Sequence, residues 1–196
     1  MLDSTSYRSN AYIAVAIGVL VFGLCAYNAK KAFVRKEDRT RSLIYLAVRR
    51  YGDDTEAVSR MIDREATSND VRKYGTFTLT SSWLLQKTFF SFTPFHLMDI
   101  IWVYRKRTQH SYYFIPTGKS HSIVIADACG RKAESDLGRG EAKEKRVEEF
   151  IATIGASVPW IIAGYSNELK DLYEKNRQEF VSAVEQRHRQ YKQQNT

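Results

Sequence analysis

The sequence predicts an α+β chain: an N-terminal transmembrane helix, a short helical preface, then a bent antiparallel sheet of about seven strands with C-terminal helices. Three observations carry this. No charged side chain lies between Arg8 and Lys30, and that stretch contains the apolar residues 11–29. Residues 74–135 are rich in Thr, Val, Ile and aromatic side chains, with turn residues at short intervals, which is strand composition. After Gly138 the apolar spacing returns to a helical period.

Residues 11–29 read AYIAVAIGVLVFGLCAYNA, apolar on every side rather than along one stripe. A helix of ~20 such residues crosses a hydrocarbon core of ~30 Å, and it pairs every backbone group internally. A cleaved secretory signal needs a basic start and a small-x-small site. Residues 1–10 carry only Asp3 and Arg8 as charges, and Gly23-x-Cys25 is a poor site, so the segment is expected to be retained as a single-pass anchor. Lys30, Lys31, Arg35, Lys36, Arg39 and Arg41 follow it. The excess of Lys and Arg on that side places the C-terminal domain in the cytoplasm and residues 1–10 outside it. Lys30, Lys31, Arg35 and Lys36 are the candidate headgroup contacts, at roughly 1 kcal/mol each near an anionic surface. Ala14 and Gly18 form a small-xxx-small pair suited to helix–helix contact.

The 196 residues carry a net charge of +8. Six basic and two acidic residues fall in 30–41, so topology and membrane lipids account for much of the excess, and nucleic acid is not expected as a partner. Two cysteines, Cys25 and Cys129, cannot build a disulfide framework. The expected organisation is a tail over 1–10, the membrane helix over 11–29, a juxtamembrane helical segment over 30–73, an α+β domain over 74–190 and a flexible end over 191–196.

In the preface, Leu43, Leu46, Ala47 and Arg50 mark one helical face, with Gly52 as the stop. A second helix has Asp53 as N-cap with Glu56 behind it, a stripe of Val58, Met61, Ile62 and Glu65, and a break at residues 67–70. Strands are expected over 75–80, 83–90, 95–97, 100–106, 111–116, 120–126 and 131–135. Gly118-Lys119 and Cys129-Gly130 are the expected hairpin tips, and Pro94 and Pro116 belong at edges or turns. Val147, Phe150, Ile151 and Ile154 then follow at i, i+3, i+4 and i+7, a helix ended or bent at Gly155. Pro159 to Ala163 makes a short apolar turn or helix before Gly164. Ser166 or Asn167 caps one last helix, frayed beyond His188.

The stretch 74–163 resembles the small bacterial pleckstrin-homology-like or GRAM-like domains. The resemblance is carried by Thr78-Leu79-Thr80 before Trp83-Leu84-Leu85, by Met98-Asp99-Ile100-Ile101-Trp102-Val103-Tyr104, by Ile123-Val124-Ile125, by the Gly130-Arg131-Lys132 tip and by the helix over 147–154. It implies a strongly bent sheet closed by a C-terminal helix. It does not extend to phosphoinositide binding, because residues 81–86 carry no basic side chain and Lys87 stands alone.

No Gly-rich phosphate loop or nucleophile elbow occurs in the sequence. His96, His110, His121 and His188 lack metal-type spacing, although His110 and His121 are placed to meet across a hairpin, as are Asp127 and Asp136. No catalytic, cofactor or metal residues are therefore assigned. Arg105, Lys106 and Arg107 read either as a patch for lipid headgroups or an acidic partner, or as charge guarding an edge strand. Trp160 and Tyr165 read either as walls of a peptide groove or as core packing. The expected function is a membrane-anchored, non-enzymatic interaction domain that binds a protein partner or the anionic membrane surface. The alternatives are an accessory subunit of a membrane complex, recruited through the helix, and an enzyme whose site is not recognised.

Overall fold

The computed structural model describes residues 17–20, 22–23, 26–27, 43–89, 91–113 and 115–194. Helix α1 (Leu43–Val48) runs into a 3-10 turn at Arg49–Tyr51 and is followed by α2 (Thr55–Ala66). Eight strands come next in two sheets: β1 (Arg72–Tyr74), β2 (Phe77–Leu79), β3 (Trp83–Lys87) and β4 (Phe92–His96) in the first. The second has the order β7 (Lys132–Arg139), β6 (Ile115–Asp127), β5 (Ile100–Tyr112) and β8 (Ile162–Ala163). Helix α3 (Glu141–Ser157) separates β7 from β8, and α4 (Asn167–Lys175) and α5 (Arg177–Gln194) close the chain. All pairings are antiparallel except that of β5 with β8.

Strand β3 explains the first sheet. Successive side chains point to opposite faces, and Trp83, Leu84 and Leu85 are all buried. Leu84 joins the main core with Phe77, Leu79 and Phe95. Trp83 and Leu85 face the other way, onto Val48 of α1 and Ile62 of α2. The first two helices therefore cover the outer face of this sheet, and the narrow stripe on α2 has its partner.

Strands β5 and β6 are buried on both faces near the core. Trp102, on one face, meets Tyr173 of α4 and Phe180 of α5 at ring centroids 5.5 and 5.6 Å apart. On the opposite face Arg105 reaches Glu144 of α3. Helix α3 closes the gap between the sheets. Its Phe150, fully buried, lies 5.0 Å from the Tyr74 ring and 6.0 Å from that of Phe77, and truncating such a side chain to Ala costs about 3–5 kcal/mol.

The sheets join at two corners. The turn Leu97–Asp99 carries β4 into β5, and Leu97 N donates to Ser82 O at 2.9 Å. At the other corner the Ser135 hydroxyl donates to Tyr74 O at 2.7 Å and accepts from Thr76 N at 2.8 Å. Gly75 between them has φ +63, and a Cβ there would meet Ser135 Oγ and lie 2.8 Å from Asp136 O.

Several expectations change. Residues 111–116 are not a separate strand, and Gly118-Lys119 is not a tip. Strand β5 runs unbroken to Tyr112, Tyr112 pairs with Ile115, and Gly118 pairs with His110 inside the ribbon. Strand β7 pairs with β6 only from Ser120 onward, so, among the described residues, 109–112 and 115–118 pair only with each other. A two-stranded ribbon beyond the third strand need not carry the alternation that marks a half-buried strand. Pro116 lies there, with no strand on its far side among the described residues, and Pro94 lies on the edge strand β4. Strand β1 precedes the expected first strand, and β8 replaces a turn or helix, giving eight strands in two sheets instead of about seven in one.

The cap of α2 is Asp54, accepting from Ala57 N at 2.9 Å, not Asp53. Helix α3 passes through Gly155 to Ser157. The last helix is two, α4 and α5, broken at Asn176. Beyond His188, whose ring stacks on Trp160 at 3.9 Å, the helix continues to Gln194 instead of fraying. Among the described residues no helix is long and apolar enough to cross a membrane. Within 11–29 only 17–20, 22–23 and 26–27 are described, all helical and exposed. Gly18 is among them. Ala14, Lys30, Lys31, Arg35 and Lys36 lie outside the described residues.

Candidate functional site

The outer face of the second sheet is only partly covered by α4. Where that helix stops short, a groove of about 780 Å³ opens over Tyr104, Val124 and Ala133, walled by Tyr165 and Lys170. Three consecutive residues of one strand, Arg105, Lys106 and Arg107, also line it. Neighbouring side chains on a strand point to opposite faces, so Arg105 and Arg107 border the groove along β5, whose side away from β6 is an edge.

That edge is open. Strand β8 pairs with β5 only at Trp102 and Val103, and Gly164 N donates to Val103 O at 2.9 Å. Gly164, at φ +102, then turns the chain away, its carbonyl accepting from Trp102 Nε1 at 2.7 Å. Backbone groups along a strand alternate in direction with period two. Since Val103 directs its carbonyl toward β8, Arg105 and Arg107 direct their N–H and C=O groups toward the same edge. Among the described residues no strand pairs with them there.

The charges around the edge are organised by face. Arg105 and Arg107 both reach Glu144 of α3, Arg107 at 2.8 Å, and Arg105 also reaches Glu148 at 3.2 Å. Burial alone would raise the Glu144 carboxyl, but the hydrogen bond from Arg107 and the two guanidinium charges hold it below the usual carboxylate range. On the other face Lys106 pairs with Glu134 at 2.8 Å and Lys132 with Glu174 at 2.9 Å. The Lys132 hydrogen bond is the main reason that the Glu174 carboxyl titrates low. Lys170 lies 4.0 Å from the same Glu174. On the groove's own face Lys106, Lys132 and Lys170 stand against Glu134 and Glu174, while Arg105 and Arg107 border it with their guanidinium groups on the opposite face, paired with Glu144.

Its aromatic wall is Tyr104 and Tyr165, with ring centroids 5.2 Å apart. Burial raises the Tyr104 hydroxyl, helped by Tyr165, Glu134 and Glu174. Below them Tyr173 is pushed up to about 12, mainly by burial, so both hydroxyls stay neutral at physiological pH. A cationic, aromatic groove along an unpaired strand edge can accept an extended chain. Its backbone would pair with Arg105 and Arg107, while alternate side chains met the two faces.

Residues 60–173, more than half of the chain, match the family model described as a domain of unknown function (DUF6709). The chain belongs to the DUF6709 family. No curated protein and no solved structure matches it. The DUF6709 match runs from within α2 to within α4, and so takes in both sheets and every groove residue except Glu174.

Of the candidate residues within the DUF6709 domain, Arg105, Lys106 and Arg107 come together in the groove, each in an ion pair. Tyr165 lines the groove, whereas Trp160 packs on His188. His110 and His121 do not meet: His110 Nε2 bonds Ser120 Oγ at 2.8 Å, and His121 is buried, 3.9 Å from Glu144. Asp127 is fully buried against Arg131, away from Asp136, which accepts from Gly138 N. Among the described residues no group of three His, Cys, Asp or Glu could hold a metal. Sequence reasoning missed Tyr104, Lys132, Glu134, Lys170 and Glu174. The alternation Tyr104-x-Lys106 carried a signal for one face, but nothing local pairs that face with α4.

Proposed function

We propose that this DUF6709 protein is a non-enzymatic interaction module of pleckstrin-homology-like architecture. It is tethered to the cytoplasmic side of a membrane by residues 11–29, and it binds an extended segment of a protein partner along β5. Seven strands in two sheets meeting at corners, followed at once by α3, support the architecture. The uncharged run and its one-sided basic flank support the tether. The observation that carries the function is the groove of about 780 Å³ bordered by Arg105 and Arg107, whose backbone edge has no strand partner among the described residues. A protein segment is favoured over lipid headgroups because Arg105, Lys106 and Arg107 are each satisfied by a carboxylate, leaving backbone groups as the unused donors and acceptors.

Selection of phage-displayed ten-residue peptides on the full chain tests this. Peptides with an alternating side-chain preference are expected. Arg107→Pro removes one outward backbone donor without touching the β5–β6 ladder, and should weaken the selected peptides about tenfold, the value of one good hydrogen bond. Arg107→Ala keeps that donor and should weaken them less. Failure to select any peptide, or equal binding by Arg107→Pro, would overturn the reading.

A further inference from the structure

A second depression, of about 500 Å³, opens where α3 begins, on the face of the second sheet opposite the groove. Its lining includes Lys119 and His121 of β6, Gly140, and Glu141 and Glu144 of the first turn of α3. Strand register brings these together. His121 pairs with Arg107 on one side and with Gly138 on the other, three residues before α3 starts. Side chains across a pair share a face, so His121 joins Arg107 beneath Glu144. His121 is the anomaly of this face. It is 5% exposed, yet its Nδ1 is buried with no hydrogen-bond partner among the described residues. Its Nε2 lies 3.9 Å from Glu144 Oε2, beyond hydrogen-bond distance. Leaving a buried polar ring unpaired costs free energy. The next two side chains on that face of the strand, Ile123 and Ile125, are apolar and fully buried, so the row itself does not call for an imidazole.

The start of the helix offers donors to the same depression. Gly140 stands at the N-cap, and no side chain among the described residues caps α3 there. Lys143 N and Glu144 N both donate to Gly140 O, so the N–H groups of Glu141 and Ala142 lie ahead of the first helical bond. A Cβ on Gly140, at φ +99, would meet nothing within 4 Å among the described residues, so the approach to these N–H groups is open. The charges favour an anion. Arg105 and Arg107 both pair with Glu144, and two guanidinium groups outweigh its carboxylate. Glu141 is exposed to water, and the exposed Lys119 adds a cation. A helix N-terminus itself attracts negative charge.

We infer that the start of α3, together with His121 and Lys119, binds the phosphate group of a phosphate monoester. The Glu141 and Ala142 N–H groups donate from the helix, and the His121 imidazole and the Lys119 ammonium donate from β6. Donors converging from a helix and a strand suit a tetrahedral oxyanion better than a planar carboxylate, and the depression leaves room for the esterified group. The site lies across the sheet from the groove and does not depend on the peptide reading. The isotope-labelled full chain in maltoside micelles is titrated with inorganic phosphate at constant ionic strength, with chloride as the balancing salt. A second titration uses micelles doped with phosphatidic acid. The Ala142 amide and the His121 ring nitrogens are expected to shift along one saturation curve, while the His96 and His188 rings stay in place. Saturation by inorganic phosphate marks a soluble monoester as the ligand, and saturation by phosphatidic acid alone marks a lipid headgroup. No saturable shift in either titration overturns the inference, as does an unmoved His121 ring. Glu141→Pro deletes one donor at a helix position that accepts proline, and should weaken binding about tenfold. Glu141→Ala keeps that donor and removes a carboxylate, so it should bind at least as tightly as wild type. His121→Phe keeps the ring's bulk without its nitrogens and should also weaken binding. Equal affinity of Glu141→Pro and Glu141→Ala would overturn the inference.

Discussion

The Arg131 guanidinium donates through Nη2 to the Tyr51 hydroxyl at 2.9 Å. The contact joins the turn after α1 to the start of β7, 80 residues away. Arg131 also donates through Nε to Asp127 Oδ2 at 2.6 Å, and its backbone N–H donates to Asp127 Oδ1 at 2.7 Å. Asp127 is fully buried. Burial would lower the Arg131 pKa, but Tyr51 and Asp127 outweigh it and hold the guanidinium above its ordinary value. A charged centre therefore fastens the helical preface to both sheets.

Arg131→Ala should destabilise the chain by about 3 kcal/mol, because it strands a buried carboxylate. Tyr51→Phe should cost about 1 kcal/mol, one hydrogen bond. In urea denaturation the double variant should lose less than the sum of the two, since they share one network. Strict additivity would show that the contact contributes nothing.

Glu65 should make stability pH-dependent. Burial tends to raise its carboxyl, but hydrogen bonds from Thr80 and Ser82 prevail and hold the pKa below 4.5. Those bonds measure 2.8 Å each, from Thr80 Oγ1 and Ser82 N. A lowered folded-state pKa stabilises above the unfolded value, and the contribution fades as pH falls through the folded one. Wild type should therefore exceed Glu65→Gln in stability at neutral pH by less than about 1 kcal/mol, since water screens a part-exposed carboxylate. The gap should close below pH 4.5. A gap that is constant across an acid titration of the urea midpoint would contradict this.

Gly75→Ala should cost about 2 kcal/mol or more. Its φ of +63 is unfavourable for a side chain, and the added Cβ meets the Ser135 hydroxyl and the Asp136 carbonyl. Gly155→Ala provides the control, because that helical position has nothing within 4 Å of an added Cβ. It should be neutral or slightly stabilising. Thermal melts that rank the two the other way would remove the β1–β2 turn as a corner of the fold.

Most of the fold was legible residue by residue. The spacing of Val147, Phe150, Ile151 and Ile154 predicted α3, and Val147, Phe150 and Ile154 are indeed buried. Ser166 caps α4 as expected, accepting from Leu169 N at 3.2 Å. Cys129-Gly130 forms a tip, with Gly130 at φ +89. What misled was the segment from Arg107 to Lys119. There β5 and β6 pair only with each other among the described residues, and a two-stranded ribbon need not carry an alternating trace. The site was half legible: Arg105, Lys106 and Arg107 were evident as a cationic run, but their carboxylates come from α3 and β7, more than 25 residues away in the chain.

The sequence by itself determined the elements: the apolar run over 11–29, two capped helices, a long strand region and helices after it. Those follow from period, capping chemistry and composition, which act within a few residues. Only the tertiary structure decided that the strands divide into two sheets with helices on both outer faces. It also decided that β8 takes up just two positions on β5 and, among the described residues, leaves Arg105 and Arg107 without a strand partner on that side. Edges and ion pairs depend on which element lies across from a residue, and a period along the chain does not encode its neighbour in space.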